Sequence, residues 1–353
     1  MVCISTPYSF IMLPAYCSIC GKERHSFNSG PLCSCGGILI PRVDFRYRDG
    51  DFRGNYPYLK HVISLGEVIT PVVDVAGMKL KLEYFSPTFS YKDRGSKVLI
   101  SSLLENLPKG SEINEDSSGN AGASIAAYGA SAGYKVNIFV PEATMKSKMS
   151  QIIAYGAEIH TIKGTREDVA TAAESHRGYY ASHVLNPEFR DGMRQISYEI
   201  FQQMGYRIPE RVFIPVSAGT LMLGVIAGFR HLMNSGETSG MPEIVAVQTE
   251  AVCPLCSRIN GFQYDSSAVT NSVADALVSK NPPLLDEMIR ELKHYGGKCM
   301  VVSEDEIISA RNDLAHSGIY VEYSSATVFA AARKIHGNEN ALLIMTGNGL
   351  KTP

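Results

Sequence analysis

The hydrophobic pattern of the chain changes repeatedly between two forms, and each change predicts a strand followed by a helix. Short apolar or alternating runs bounded by glycine, proline or serine are typical of strands, whereas apolar residues three or four positions apart are typical of helices. The predicted strands are 77–83, 136–140, 158–162, 212–216, 244–248 and 341–345. The predicted helices are 97–106, 124–132, 146–155, 167–176, 192–204, 221–232 and 284–292. This order predicts an α/β fold with parallel sheets covered by helices.

The length of 353 residues allows two α/β domains. We expect an N-terminal segment over residues 1–60, a large domain formed by 61–89 together with 191–353, and a smaller domain over 90–190. Neither an internal repeat nor a low-complexity linker separates the predicted elements. The two domains are therefore predicted to interleave as open parallel sheets with helices on both faces.

Composition and charge exclude several classes of function. The chain is 45% hydrophobic and 19% charged, with a formal net charge of -2, which is typical of a soluble globular protein. The near-neutral charge and the lack of a long Lys/Arg run argue against a nucleic-acid partner. No apolar run is long enough to span a membrane, and residues 1–16 lack the basic start of a secretory signal. We expect a cytoplasmic enzyme that acts on a small molecule.

Four of the eight cysteines form a pattern typical of a metal site. Cys17-x-x-Cys20 is followed by Cys33-x-Cys35, and four thiolates suit a tetrahedral zinc ion. We expect a small zinc-ribbon-like knuckle with a structural zinc ion, and reduced thiols without metal are the alternative. The isolated run Cys253-Pro-Leu-Cys256 is expected to pack as small apolar side chains.

Four segments rich in glycine and hydroxyl residues lie where predicted strands and helices meet. Residues 86–95 place Lys92 ahead of a predicted helix, and residues 117–122 open the next helix. Residues 217–220 precede another helix, and residues 346–349 follow the last predicted strand. Because open α/β sheets bind ligands outside the carboxyl ends of their strands, these segments are predicted to form one site.

Each segment has a chemical role and a plainer alternative. Lys92 is either a reactive amine or a solvated surface charge. The turn at 217–220 is either an anion site at a helix N-terminus or an ordinary cap. Asn120 and Thr346 offer an amide and a hydroxyl to a ligand, although such residues also fill turns routinely.

The motifs at these segments resemble those of a known enzyme family. Tyr-Lys-Asp-Arg-Gly at 91–95, Ser-Ser-Gly-Asn-Ala-Gly at 117–122 and Thr-Gly-Asn-Gly-Leu-Lys at 346–351 are similar in order and spacing to motifs of threonine synthases. These enzymes belong to the fold-type-II, tryptophan-synthase-β-like family, which uses pyridoxal 5′-phosphate. The resemblance extends from about Cys17 to Lys351 and includes the cysteine-rich start. The combined motifs are highly specific for the superfamily and moderately specific among its members.

The resemblance implies a role for each segment. Lys92 would form the Schiff base with the cofactor and later move protons, Asn120 would bond the phenolic oxygen, and Thr346 would face the pyridine nitrogen. The residues expected to hold the cofactor phosphate are Ser217, Ala218, Gly219 and Thr220. The residues expected to receive the substrate carboxylate are Ser117, Ser118, Gly119 and Asn120. The resemblance also implies a homodimer.

The implied reaction converts O-phospho-L-homoserine and water to L-threonine and phosphate. The substrate phosphate requires cations near the cleft. Lys148 is the first candidate, and Lys146, Arg190 and Arg194 are the others.

Two departures from the family pattern bear on the substrate. Phe89 and Tyr91 stand where a glycine and a phenylalanine are common, so we expect a bulkier wall beside Lys92. The alternatives are therefore a related threonine or serine dehydratase, a β-replacement enzyme similar to cysteate synthase, or a catalytically silent paralogue that serves as a binding subunit.

Overall fold

The structure is a computed structural model that describes residues 12–24, 30–144, 146–268, 271–338 and 340–351, and for 146–148 it describes the backbone alone. Within these ranges, every helix is too short or too polar to cross a membrane. The strands are β1 (Ala15–Cys17), β2 (Leu39–Pro41), β3 (Val72–Val75), β4 (Met78–Leu82), β5 (Glu112–Glu115), β6 (Lys135–Pro141), β7 (Glu158–Ile162), β8 (Tyr179–Tyr180), β9 (Arg211–Pro215), β10 (Glu243–Thr249), β11 (Lys298–Val302) and β12 (Ala341–Met345).

The α-helices separate most of these strands. They are α1 (Phe52–Asn55), α2 (Lys92–Leu103), α3 (Asn120–Ala132), α4 (Lys146–Ala154), α5 (Arg166–Ser175), α6 (Pro187–Gly192), α7 (Arg194–Gln203), α8 (Thr220–Asn234), α9 (Pro254–Asn260), α10 (Leu285–His294), α11 (Glu304–His316) and α12 (Tyr323–Ala332). Short 3₁₀ turns occupy Asp275–Leu277 and Gly349–Lys351.

The larger sheet has six strands in the order β11-β10-β9-β12-β4-β3. All neighbours pair in parallel except β3, which forms an antiparallel hairpin with β4. Alternate residues of one strand enter different hydrophobic cores: Val212 and Ile214 pack on one side, and Phe213 packs on the other. Both faces are thus covered, as expected for a parallel sheet.

The smaller sheet has four parallel strands in the order β7-β6-β5-β8. Its strands lie within 112–180, and those of the larger sheet lie within 72–82 and 211–345. The prediction of two open, largely parallel sheets with helices is confirmed. The domain limits proposed from the sequence remain predictions.

Several elements differ from the sequence prediction. Helix α2 begins at Lys92, five residues before the predicted start, so Lys92 belongs to the first helical turn rather than to a preceding loop. The single helix predicted over 192–204 is instead two helices, α6 and α7, that meet at Met193. Gly192 lies so close to the Arg94 carbonyl that a Cβ atom there would collide with it. The hydrophobic pattern did not predict strands β1, β2, β3, β5, β8 and β11 or helices α1, α9, α11 and α12.

The expectation for Cys256 was wrong. Cys256 forms a disulfide with Cys299, which joins α9 to the edge strand β11. The two residues are 43 positions apart, so their pairing depends on the packing of the sheet and not on local spacing. Cys253 is a buried free thiol.

The cysteine-rich segment packs on α6. Strands β1 and β2 form a small antiparallel pair. Arg24, which follows β1, makes a buried ion pair with Glu188, and Arg190 donates a hydrogen bond to the carbonyl of Leu39. Both contacts fix this segment against the helix that carries Phe189.

Candidate active site

Lys92 lies in a cleft of about 740 Å³ at the carboxyl ends of the parallel strands. The backbone N–H of Tyr91 donates to the carbonyl of Thr346 at 2.9 Å, and the N–H of Asn348 donates to the carbonyl of Phe89 at 3.1 Å. These bonds follow from the parallel pairing of β4 with β12, which brings the ends of both strands together. The Lys92 amine lies 4.8 Å from the centre of the Tyr91 ring and 5.9 Å from that of Phe189.

The residue after Lys92 anchors the helix start. The buried carboxylate of Asp93 accepts hydrogen bonds from the Thr88 N–H at 2.7 Å, the Thr88 hydroxyl at 2.6 Å and the Ser124 hydroxyl at 2.6 Å. Burial raises the pKa of Asp93, although these three donors act in the opposite direction. Because Ser124 belongs to α3, this carboxylate ties the Lys92 helix to the turn at 117–122.

A buried network of charges fixes the next turn of α2. Arg94 donates to Glu83 at 3.0 Å and also pairs with both oxygens of Glu199. Lys81 of β4 completes the network with a 2.7 Å bond to Glu199. Paired charges of this kind tolerate burial, whereas an isolated charge at the same place would be costly.

The turn at 117–122 lines the cleft with Ser117, Ser118, Gly119 and Asn120. The Gly119 N–H donates to the Ser117 hydroxyl at 3.3 Å. A Cβ atom at Gly122 would collide with the Ser117 carbonyl, so the tight turn requires glycine at this position. The turn therefore opens α3 toward the cleft, and no side chain among the described residues caps its first backbone N–H groups.

The turn at 217–220 follows β9 and opens α8. Ser217, Ala218, Gly219 and Thr220 all line the cleft. Gly219 has a φ of 98°, and a Cβ atom there would also collide with Met288, so both backbone and space require glycine. Among the described residues, no side chain caps α8, and its first N–H groups remain available to an anion.

Thr346 follows β12 and lines the same cleft. Its hydroxyl lies 2.9 Å from the hydroxyl of Ser325, which also accepts the backbone N–H of Gly347 at 2.9 Å. The Thr346 side chain is therefore fixed, and it offers a neutral hydroxyl rather than a charge.

Sequence reasoning missed two residues that line the cleft, Glu322 and His183, and the buried Glu115 that contacts His183. Glu322 accepts from the Asn120 amide, and burial raises its pKa to about 7. His183 lies 2.5 Å from the buried carboxylate of Glu115, through its Nδ1 atom. Burial raises the pKa of Glu115 to about 8, and burial together with the Lys92 charge lowers the pKa of His183 to about 3. Burial therefore disfavours the charged form of both residues. No spacing rule in the sequence identifies these residues, because each depends on a distant partner.

The four cations predicted to bind the substrate phosphate are not found together at the cleft among the described side chains. Arg190 and Arg194 are buried and occupied in structural contacts with the Leu39 carbonyl and with Asp191, so they were wrong candidates for a substrate site. The side chains of Lys146 and Lys148 lie outside the described residues. Among the described side chains, the cations that line the cleft besides Lys92 are Arg166, Lys280 and Lys351.

The expected bulky wall is formed by one residue rather than two. Tyr91 lines the cleft, whereas Phe89 is 53% exposed and adopts a φ of 64°. The size of the Phe89 side chain therefore does not restrict access to Lys92.

The four cysteines predicted to bind metal come together. The Sγ atoms of Cys17, Cys20, Cys33 and Cys35 lie within 4.8 Å of one another. Backbone N–H groups of Cys20 and Ile19 point at the Cys17 sulfur and lower the pKa of this thiol to about 6. A thiolate is the form that binds metal, so the donor set fits a tetrahedral zinc ion.

The cleft residues also fit pyridoxal phosphate. The start of α8 provides backbone N–H groups for a phosphate, Lys92 provides an amine, and Asn120 and Thr346 provide a donor and a hydroxyl for the ring.

The chain is similar to known proteins over most of its length. A family model described as "Pyridoxal-phosphate dependent enzyme" matches residues 63–347. The chain is 30% identical to a threonine synthase of Methanosarcina acetivorans, over 80% of this chain and 72% of that protein. It is 27% identical to a threonine synthase of Methanocaldococcus jannaschii, over 96% and 92% of the two chains.

Solved structures show the same fold at lower identity. A pyridoxal 5′-phosphate-dependent aspartate racemase has a TM-score of 0.69 at 20% identity, covering 88% of this chain and 97% of that one. A fungal L-serine ammonia-lyase from Rhizomucor miehei also has a TM-score of 0.69, at 19% identity, covering 80% and 94%. The chain therefore belongs to the pyridoxal-phosphate-dependent enzyme family, as a lyase similar to threonine synthases.

Proposed function

We propose that this enzyme converts O-phospho-L-homoserine and water to L-threonine and inorganic phosphate. The observation that carries the proposal is the position of the Lys92 amine, in one cleft with the turn at 117–120 and with Thr346. The choice of substrate is supported by the two threonine synthases, which align with 80% and 96% of the chain.

The cofactor would be held at four points. The Lys92 amine would bind its aldehyde carbon, and residues 217–220 would bind its phosphate through the N–H groups at the start of α8. Asn120 would donate to the phenolic oxygen, and the Thr346 hydroxyl would face the pyridine nitrogen. When bound, pyridoxal phosphate supplies an electron sink that acidifies carbon-bound protons of the substrate.

The chain would supply binding and proton transfer. The turn formed by Ser117, Ser118, Gly119 and Asn120 would receive the substrate carboxylate at the N-terminus of α3. Lys92 would remove protons from the α and then the β carbon. Phosphate would leave from the γ carbon with the electron pair of its C–O bond, and the γ carbon would gain a proton. Water would then add its hydroxyl at the β carbon, and a proton would return to the α carbon. The rings of Tyr91 and Phe189 lie beside the amine, with their centres 4.8 and 5.9 Å from it.

Recognition of the substrate phosphate requires positive charge. We assign this role to Lys148, with Arg166 as a second cation at the wall of the cleft. The His183–Glu115 pair would contribute shape and hydrogen bonding rather than charge, because burial disfavours the charged form of both residues.

Cys17, Cys20, Cys33 and Cys35 would hold a structural zinc ion outside the cleft, a proposal supported by their clustered sulfur atoms. The homodimer and the cytoplasmic location remain predictions.

The test is product formation by the cofactor-saturated enzyme. With O-phospho-L-homoserine, we expect threonine and phosphate to appear in equal amounts, and the Lys92→Ala variant to form neither. Parallel assays with serine and threonine would detect oxo acid and ammonia. Turnover of these amino acids without turnover of the phosphorylated substrate would overturn the proposal and identify a dehydratase.

A further inference from the structure

Asn120 has a partner that no sequence motif indicated. Its Nδ2 atom donates to both carboxylate oxygens of Glu322, at 3.0 Å each, across 202 residues of sequence. An ionised carboxylate only accepts hydrogen bonds, so it binds the nitrogen and not the oxygen of an amide group. The two oxygens belong to one carboxylate and are equally distant from Nδ2, so a single N–H pointing between them serves both. The second hydrogen of Nδ2 is then left for an acceptor in the cleft, which Asn120 lines.

The carboxylate of Glu322 is held firmly in place. The residue is only 4% exposed, and its backbone N–H donates to the Gly347 carbonyl at 3.0 Å. A Cβ atom at Gly347 would lie 2.0 Å from a carboxylate oxygen of Glu322, so glycine at this position makes room for the carboxylate. Gly347 follows Thr346, and Glu322 thus connects the Asn120 turn to the C-terminal turn.

Charges from three other segments face this carboxylate. Burial raises its pKa to about 7, while the Asn120 amide and the positive charges of Lys351 and Lys92 favour the ionised form and Asp275 opposes it. The ionised and protonated forms are therefore both accessible near neutral pH.

We propose that Glu322 is a positioning residue of the cofactor site, whose carboxylate orients the Asn120 amide so that its second N–H faces the phenolic oxygen of pyridoxal phosphate. A hydrogen-bond donor favours the ionised form of the group that accepts it. The correctly oriented amide stabilises the phenolate, and a flipped amide would present its oxygen and favour the protonated phenol. The proposal rests on the cofactor and not on the substrate.

The test is the absorption spectrum of the substrate-free holoenzyme, which separates the phenolate and phenol forms of the bound cofactor. We expect Glu322→Gln to increase the ratio of phenol to phenolate bands roughly fivefold, the effect of losing a hydrogen bond of about 1 kcal/mol. Asn120→Ala should change the ratio in the same direction. The double variant should match Asn120→Ala alone, because Glu322 acts through Asn120.

The neighbouring variant Tyr323→Phe is the matched control, since this hydroxyl contacts Arg311 rather than the Asn120–Glu322 pair. It should leave the spectrum unchanged. Lowering the pH of the wild-type holoenzyme through 7 should also increase the ratio of phenol to phenolate bands, because it protonates Glu322. The Glu322→Gln variant should lack this pH dependence.

Two results would overturn the proposal. One is a Glu322→Gln spectrum identical to wild type between pH 6 and 8. The other is a double variant whose change equals the sum of the two single changes, which would mean that Glu322 acts independently of Asn120. Neither result would depend on whether O-phospho-L-homoserine is the substrate.

Discussion

The cysteine segment and the Lys92 cleft are built in opposite ways. The four cysteines lie within 17–35, and two of them, Cys20 and Cys35, are exposed. The cleft instead draws on residues from 91 to 351, and the charges behind it are buried and paired. A local site can rely on one bound ion for its geometry, whereas a site assembled from distant segments needs the packed fold to hold it.

The largest effect is expected in the cleft. Lys92→Ala should reduce turnover by at least about a thousandfold, because it removes the nucleophilic amine. Lys97→Ala, five residues along the same helix, removes an amine that pairs with Glu67 at 2.8 Å and should retain activity. Initial rates and circular dichroism of both variants would separate a chemical defect from unfolding. Equal losses in the two variants would contradict the assignment.

A similarly large effect on stability is expected behind the cleft. Arg94→Met leaves the buried carboxylates of Glu83 and Glu199 without their main partner and should lower the free energy of unfolding by about 3–5 kcal/mol. The control is Arg333→Met, whose ion pair with Asp313 is half exposed and should contribute at most about 1 kcal/mol. Urea denaturation measures both. Similar costs for the two variants would show that the buried network does not hold the cleft.

The cysteine segment should depend on metal instead. The wild-type protein is expected to contain one zinc ion per chain, and Cys33→Ser should lose it, because three thiolates bind zinc less tightly than four. Cys299→Ser removes the disulfide and should keep the zinc. Elemental analysis of the two purified variants would decide the matter, and full zinc content in Cys33→Ser would rule out the four-cysteine site.

The smallest effect concerns the strained loop before Lys92. Phe89 adopts a φ of 64°, which is unfavourable for any residue except glycine. Phe89→Gly should therefore leave the free energy of unfolding unchanged or raise it by up to about 1 kcal/mol. Phe85→Gly, at a residue of similar exposure that stacks near Tyr84, should lower it. Thermal unfolding should rank the two variants in this order, and the reverse order would mean that packing of Phe89 outweighs its strain.

The same contrast explains what the sequence could predict. The cysteine cluster and six of the twelve described strands follow from local spacing and periodicity, and the structure agrees with both. Strand β5 was missed because two of its buried residues, Asn114 and Glu115, are polar and depend on tertiary hydrogen bonds.

The hydrophobic pattern of the sequence could not predict contacts between distant segments of the chain. Glu322 meets Asn120 only because β12 pairs with β4 and β9, and Cys256 meets Cys299 only because α9 packs on β11. Helix α2 began earlier than predicted because Asp93, which reads as a polar loop residue, is buried by Thr88 and Ser124.

The most direct test of the account is to locate the cofactor on the chain. Borohydride converts the bond between pyridoxal phosphate and a lysine into a stable amine, and peptide mass spectrometry then identifies the lysine. We predict that the modified residue is Lys92. Modification of Lys280 or Lys351, which line the same cleft, would contradict the central claim.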